Sequence, residues 1–326
     1  MKASRLGRGA EFDLIRELLR EEPDVLPEGV VLGPGDDAAV VAGDSIVLSC
    51  DLSVEGVHFR REWMSVEEIG YRAVAGAVSD LAAMAARPVG ILVSLALPAA
   101  EAATLVPDLR SGIAEACRLV DAAVLGGDLS RSPGGVLIDV TAVGEATTPV
   151  LRSGARPGDV LWVTGYLGGS GAAVRAWEAG EEPAAGARRA YVRPVPRTGE
   201  ARWLAERVTL HAMIDLSDGL AGDAAHLAAA SGVQIVLEGA AVPVHRAATP
   251  ELALRGGEDY ELCFAAPAGA VDPLREEFAA RFGVPLTPVG RVREGKASLL
   301  LASADGEDAA LSSGGFDHFE EGEHEA

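Results

Sequence analysis

Short apolar runs that end in glycine and an acid recur along this chain, and they limit its fold more than any other feature. The first case, residues 33–59, reads GPGDDAAVVAGDSIVLSCDLSVEGVHF. Asp36 and Asp37 stand in a Gly-Pro-Gly turn, where glycine permits backbone angles that side chains forbid. Two runs follow, 38–42 and 45–49, each bounded by Gly or Asp as buried strands are. The second run delivers Asp51, and His58 comes soon after. Acids are thus displayed at turns and strand ends, where scaffolds commonly carry function. Adjacent carboxylates repel unless a cation lies between them, and oxygen-seeking Mg²⁺ or Ca²⁺ suits that place. Taken alone, a solvated acidic turn is an equal reading.

The rest of the first half alternates helix and strand signals. Residues 11–20 have helical spacing, with Phe12, Ile15, Leu18 and Leu19 on one face. Residues 65–86 predict a long helix opened by a capping box, Ser65 with Glu68. Asp80 lies inside it, in VSDLAAM, among apolar and small residues. A buried acid is costly unless paired or metal-bound, and the alternative is exposure on one side. A buried strand at 89–97 and a helix at 101–120 follow. A short strand at 122–125 is ended by Gly126, Gly127 and Asp128. In a further strand, 136–143, Asp139 reads as a sheet-face or edge residue. This order predicts an α/β chain of the α+β kind, with helices on one face of a sheet.

The stretch TTPVLRSGARPG (147–158) marks a boundary and divides the chain into 1–148 and 149–326. A strand at 160–164 leads into a glycine-rich turn, 165–171, ahead of a helix. Such a turn can hold an anion at the helix N-terminus, although the lysine of a phosphate loop is missing and an ordinary turn reads as well. Trp177 and Trp203 read as core. In HAMIDLSDGL (211–220) a strand ends at Asp215, and Ser217 and Asp218 precede a helix running to 231. An N-cap explains one of these polar residues, not three. RGGEDYEL (255–262) again sets paired acids after glycines.

Charge narrows the function. The formal net charge of −21 argues against nucleic acid as the partner. Lys2 and Lys296 are the only lysines, so a phosphate must be held by arginine, backbone N–H groups or a cation. Apolar runs are strand-sized, which argues against a membrane span. Residues 1–19 lack the apolar core of a secretory signal. Cys50, Cys117 and Cys263 are scattered without metal-site spacing, as suits a reducing cytoplasm. So many acids on one pocket would repel a polyphosphate unless magnesium ions lay between.

Eight segments carry a resemblance: GPGDDAAVV, SCDLSVEGVHF, VSDLAAMAARP, LGGDLSRS, LRSGARPGD, MIDLSDGLAGDAAHLA, GGEDYELCF and GGFDHF. In this order the chain resembles the thiamine-monophosphate kinases, of the superfamily that includes aminoimidazole ribonucleotide synthetase and selenophosphate synthetase. The resemblance spans residues 9–319. It implies two α/β domains, with the N-terminal sheet paired across a homodimer. It implies transfer of the ATP γ-phosphoryl group to thiamine monophosphate with several Mg²⁺ ions and no covalent intermediate or general base. Asp37, Asp51, Asp80, Asp128, Asp215 and Asp218 match magnesium ligands, with Ser49 and Cys50 contributing. Gly127, Asp128, Arg152 and Ser217 match ATP contacts. His58, Glu258 and Phe316 match the substrate side, with Glu258 facing the cationic thiamine and Phe316 stacking on its aminopyrimidine. Two positions depart from the pattern. Cys50 stands where Thr or Ser is expected, which is harmless if that residue ligates through its carbonyl and weakens a site if through a hydroxyl. Phe316 replaces a common Trp or Tyr. The rival readings are another ATP-using member of the superfamily and a non-catalytic nucleotide- or metal-binding regulator.

Overall fold

The computed structural model describes residues 30–32, 39–41, 45–302 and 308–311. The helix expected at 11–20, the acids Asp36 and Asp37, and Phe316 lie outside the described residues.

The first half runs β1 (Val30–Leu32), β2 (Ala39–Val41), β3 (Ile46–Val54), α1 (Val66–Ala83), β4 (Arg87–Pro98), α2 (Ala102–Leu119), β5 (Ala123–Ser132) and β6 (Leu137–Glu145). These strands form one sheet in the order β1-β2-β3-β6-β4-β5. Only β4 and β5 pair in parallel, and α2 supplies the crossover that a parallel pair requires. The expected capping box opens α1: Glu68 N–H donates to Ser65 Oγ at 3.2 Å, and Ser65 N–H donates to Glu68 Oε2 at 2.9 Å. Glycines let α1 and α2 pack closely, since a Cβ on Gly70 would lie 2.4 Å from the Leu109 carbonyl oxygen.

Three strands differ from expectation. β3 continues to Val54, so Asp51 lies within the strand rather than after it. β4 is not buried on both faces, because Val93 and Leu97 face the core while Val89 and Leu92 are exposed. β5 does not stop at its glycines but runs on through Asp128 to Ser132. Gly127 fits there because the neighbouring strand is pressed against it: a Cβ would fall 1.8 Å from the Val93 carbonyl oxygen.

The second half begins with β7 (Asp159–Thr164), α3 (Gly169–Glu178), α4 (Ala185–Val192), α5 (Thr198–Ala205), β8 (Ala212–Asp215), α6 (Leu220–Ser231) and β9 (Gln234–Leu237). It continues with α7 (Pro250–Arg255), β10 (Leu262–Pro267), α8 (Arg275–Phe282), β11 (Leu286–Arg293), β12 (Ser298–Leu301) and β13 (Ala309–Ala310). Its sheet has the order β13-β12-β9-β11-β7-β10-β8 and is covered on both faces. Alternation along the central strands explains this. Leu161, Val163, Cys263 and Ala265 pack with Leu220 and Leu227 of α6. Trp162, Leu262 and Phe264 pack on the other face with Trp203 of α5 and Phe278 of α8. Ala82 of α1 joins that second cluster, so the helix of the first half is wedged against the second sheet.

A buried ion pair pins the end of β7 to the start of β10. Arg197 Nε donates to Glu261 Oε2 at 2.7 Å, and Thr164 Oγ1 donates to the same oxygen at 2.6 Å. Burial pulls the Arg197 guanidinium down, but Glu261 and Glu200 outweigh it and hold it above its ordinary range. The three cysteines are free, and no helix among the described residues is long and apolar enough to cross a membrane.

Candidate active site

One face of α1 gathers polar groups from both halves. Ser49, buried on β3, donates its hydroxyl to Asp80 Oδ2. Asp51 Oδ2 and the Tyr260 hydroxyl both crowd Gly76: a Cβ there would be 3.0 Å from the first and 3.1 Å from the second. Ser79 Oγ donates to Asp215 Oδ2 at 2.6 Å, and both residues are buried. Ser49, Asp51, Asp80 and Asp215 therefore meet along a single helix, although they come from β3, α1 and β8.

The turn after β8 is built to present its acids. Gly219, with φ of 96°, caps α6 without a side-chain bond, so neither Ser217 nor Asp218 serves as a cap. Instead the Asp218 N–H donates to Asp223 Oδ2 at 3.1 Å. Asp223 lies buried in the first turn of α6. Burial, and then the carboxylates of Asp218 and Asp215, push its carboxyl well above the usual range, and Arg152 opposes them. This places Asp215, Asp218, Asp223 and Arg152 in one electrostatic neighbourhood. Sequence reasoning missed Asp223, although a lone acid in LAGDAAHLAAAS is the same signal that marked Asp80.

Residues 256–261 form a strained loop facing α1. Glu258 and Tyr260 have φ of 69° and 50°, which is uncommon for residues with side chains. The loop is held on three sides. Glu258 N–H donates to the Ser217 carbonyl at 2.7 Å and Tyr260 N–H to the Leu216 carbonyl at 2.9 Å. Glu261 is tied to Arg197. Asp259 accepts from the N–H groups of Gly168 at 2.6 Å and Ser170 at 3.3 Å. The glycine-rich turn before α3 thus already holds a carboxyl group, and it belongs to the chain itself. Burial pushes Asp259 up to about 7 despite these donors. Glu258 makes an ion pair with Arg72 of α1. His58 Nδ1 accepts from the Val54 N–H at 3.1 Å, which places the ring proton on Nε2.

Asp128 and Cys50 are not brought to this face, while Gly127 lies on β5 in the register row of Val93, Val140 and Asp51. Asp128 pairs with Ser94, Ser94 with Asp139, and Asp139 with Leu52, so these four residues form a row across the sheet. Cys50 lies on the same outer face, its Sγ 3.1 Å from Asp139 Oδ1. Burial and Asp139 push this thiol up. Because strand residues alternate, the Cys50 side chain points away from Ser49 and Asp51. Asp128 lies three strands from β3, roughly 14 Å at ordinary strand spacing.

Among the described residues, no three His, Cys, Asp or Glu side chains stand ready as a metal cluster. The donors at α1 nevertheless suit a hard cation. They are all oxygens, and burial together with the carboxylates of Asp218 and Asp215 already raises the neighbouring Asp223. Magnesium keeps several waters and shares phosphate oxygens, so it needs no dense protein cage.

A two-sheet fold with acids meeting at the seam defines a class, and comparison with known proteins names it. Residues 35–146 match the AIR synthase related protein, N-terminal domain, and residues 156–301 match its C-terminal domain. The chain is 38% identical over 315 residues to the thiamine-monophosphate kinase of Mycobacterium tuberculosis, covering 91% of this chain and 88% of that one. It is 33% identical to the thiamine-monophosphate kinase of Bacillus subtilis, covering 95% of this chain and 99% of that one. Among solved structures, "AaThiL complexed with AMPPCP and TMP" superposes with a TM-score of 0.81 at 32% identity, covering 98% of this chain and 99% of that one. The chain belongs to the thiamine-monophosphate kinase family. The hydrogenase maturation protein HypE in complex with ATP shares the fold, at 20% identity and a TM-score of 0.71.

Proposed function

We propose that this protein phosphorylates thiamine monophosphate to thiamine diphosphate at the expense of ATP, with magnesium, in the cytoplasm. The observation that carries the reading is the junction at α1, where Asp51 and Asp80 of one half meet Asp215 and Tyr260 of the other. Residues 1–148 supply the β3 and α1 acids, and residues 149–326 complete the site. Asp51, Asp80, Asp215 and Asp218 would hold magnesium with Asp37, and Ser49 would steady Asp80. When bound, the metal offsets charge on the transferring phosphoryl group and aligns attacker with leaving group. The acceptor is a phosphate oxygen, anionic near neutral pH, so no side chain has to remove a proton from it. Arg152, Gly127 and Ser217 face the nucleotide in this reading. His58, through its Nε2–H, and Glu258 face thiamine monophosphate with Phe316.

The same reading makes the protein a homodimer. Asp128 and the backbone edge of β5 lie open to solvent, and Leu52 and Leu92 are exposed on the outer face of the sheet. An open apolar sheet face with a free edge favours pairing with a second copy. A partner's β5 would then bring its Asp128 to the site that this chain's own Asp128 does not reach.

The test follows thiamine diphosphate and ADP together from ATP, Mg²⁺ and thiamine monophosphate. Equal formation of both, abolished by chelator and by Asp51→Asn in a folded protein, is the expected result. ADP release without thiamine diphosphate would refute the acceptor. ATP binding without either product would favour the regulator reading.

A further inference from the structure

Arg72 is a buried cation that the functional reading leaves without a task. It lies one turn before Gly76 on α1 and is 5% exposed. Its guanidinium stacks on the Tyr191 ring, 3.8 Å from the centroid, and lies 5.7 Å from the centroid of the Tyr260 ring. Nη1 donates to the Tyr191 carbonyl. Nη2 makes the ion pair with Glu258, and it does so on Oε2. The Tyr260 hydroxyl approaches that same oxygen at 3.4 Å. Among the described residues, none hydrogen-bonds Oε1. Tyr191, on the other side of Arg72, donates its hydroxyl to the His58 carbonyl at 2.7 Å. One guanidinium thus links Glu258, 186 positions away in sequence, to the residue that fixes the backbone of His58.

We propose that Arg72 is a positioning residue that sets recognition of the cationic heterocyclic end of the substrate. This rests on the reading of Glu258 and His58 as the substrate side. Arg72 holds Glu258 by one oxygen and turns the other outward, where a ring cation or an amino group can meet it. Without Arg72, Glu258 would lose the cation that holds it, while Asp51 stays close by, across the Tyr260 hydroxyl at Gly76, and that like charge would turn it away. A lysine cannot replace this arrangement, because it lacks both the planar stack on Tyr191 and the fork that reaches two acceptors at once.

The test is steady-state kinetics on the full-length protein, varying thiamine monophosphate and ATP in turn. Arg72→Gln is expected to raise KM for thiamine monophosphate by about tenfold or more, as loss of a buried charged partner does, with KM for ATP within about twofold. Arg72→Lys should fall between the two. Arg72→Gln combined with Glu258→Gln should be no worse than the worse single variant, since both act through one carboxylate. An unchanged KM for thiamine monophosphate, or equal rises for both substrates, overturns the inference. If Arg72→Gln does not fold, Tyr260→Phe removes only the hydroxyl on the shared oxygen. A raised KM for thiamine monophosphate then supports the inference, and an unchanged one overturns it. A wild-type protein inert toward thiamine monophosphate overturns the functional reading and this inference with it. An active wild type with an unaffected Arg72→Gln overturns this inference alone.

Discussion

Gly76 and Gly70 lie on the same helix, and alanine at each should do opposite things. In an exposed or roomy helix position, Gly→Ala gains about 1 kcal/mol from the smaller backbone entropy loss. At Gly76 the new methyl would meet Asp51 Oδ2 at 3.0 Å and the Tyr260 hydroxyl at 3.1 Å, both ends of side chains. Each end can yield by a few tenths of an ångström, so the helix gain should survive and the fold should lose nothing measurable. The site should suffer, because Asp51 would be pushed off the position it needs. A full ångström of misplacement can cost about a hundredfold, so a fraction of one should lower kcat/KM by roughly three- to tenfold. At Gly70 the methyl would meet the Leu109 carbonyl oxygen at 2.4 Å, and that oxygen is backbone of α2. It cannot move without the helix, so Gly70→Ala should cost about 1–3 kcal/mol net and leave kcat/KM per folded molecule unchanged. Urea unfolding and kinetics at limiting Mg²⁺ read the two effects separately. Wild-type kcat/KM in Gly76→Ala would refute the convergence of Asp51 and Tyr260 on α1.

Two further outcomes follow from buried charges. Asp259 has its carboxyl raised from 3.8 to about 7, so its contribution to stability is full below about pH 4 and is lost as pH rises towards 7. Asp259→Asn should remove that dependence. The variant should gain on the wild type between pH 4 and 7, by up to about 4 kcal/mol, and the gap should stay flat above. Parallel stability curves would refute it. Arg197→Met strands Glu261 and Glu200 in the core and should cost about 3–5 kcal/mol, read as a lowered unfolding midpoint. A midpoint equal to wild type would mean that the network is not formed.

The features legible in the sequence were local ones. The Ser65–Glu68 box opens α1 as its spacing demands, and Asp215 ends its strand where the apolar run ends. The acids at 51, 80 and 215 stood out because each broke an apolar pattern. What stayed hidden depends on distant neighbours. Gly126 and Gly127 read as a stop, yet β5 continues, because a strand from elsewhere lies against Gly127 and needs its missing side chain. Gly76 looked like one more small residue in a helix until Asp51 and Tyr260 were placed beside it. The pairing of Glu258 with Arg72 leaves no local trace in either segment. The outward direction of Cys50 and Asp128 follows from strand register, which periodicity suggests but pairing decides.

Asp259 at the head of α3 has a wider consequence. A helix N-terminus is the cheapest seat a protein can offer a triphosphate, and here it is taken by the chain's own carboxylate. With that seat filled and lysine almost missing from the sequence, naked nucleotide meets mostly negative charge. In the proposed reading it would have to arrive as a chelate. The protein would then answer to the supply of divalent ions in its surroundings as much as to the supply of its substrates, and its throughput would follow changes in free magnesium.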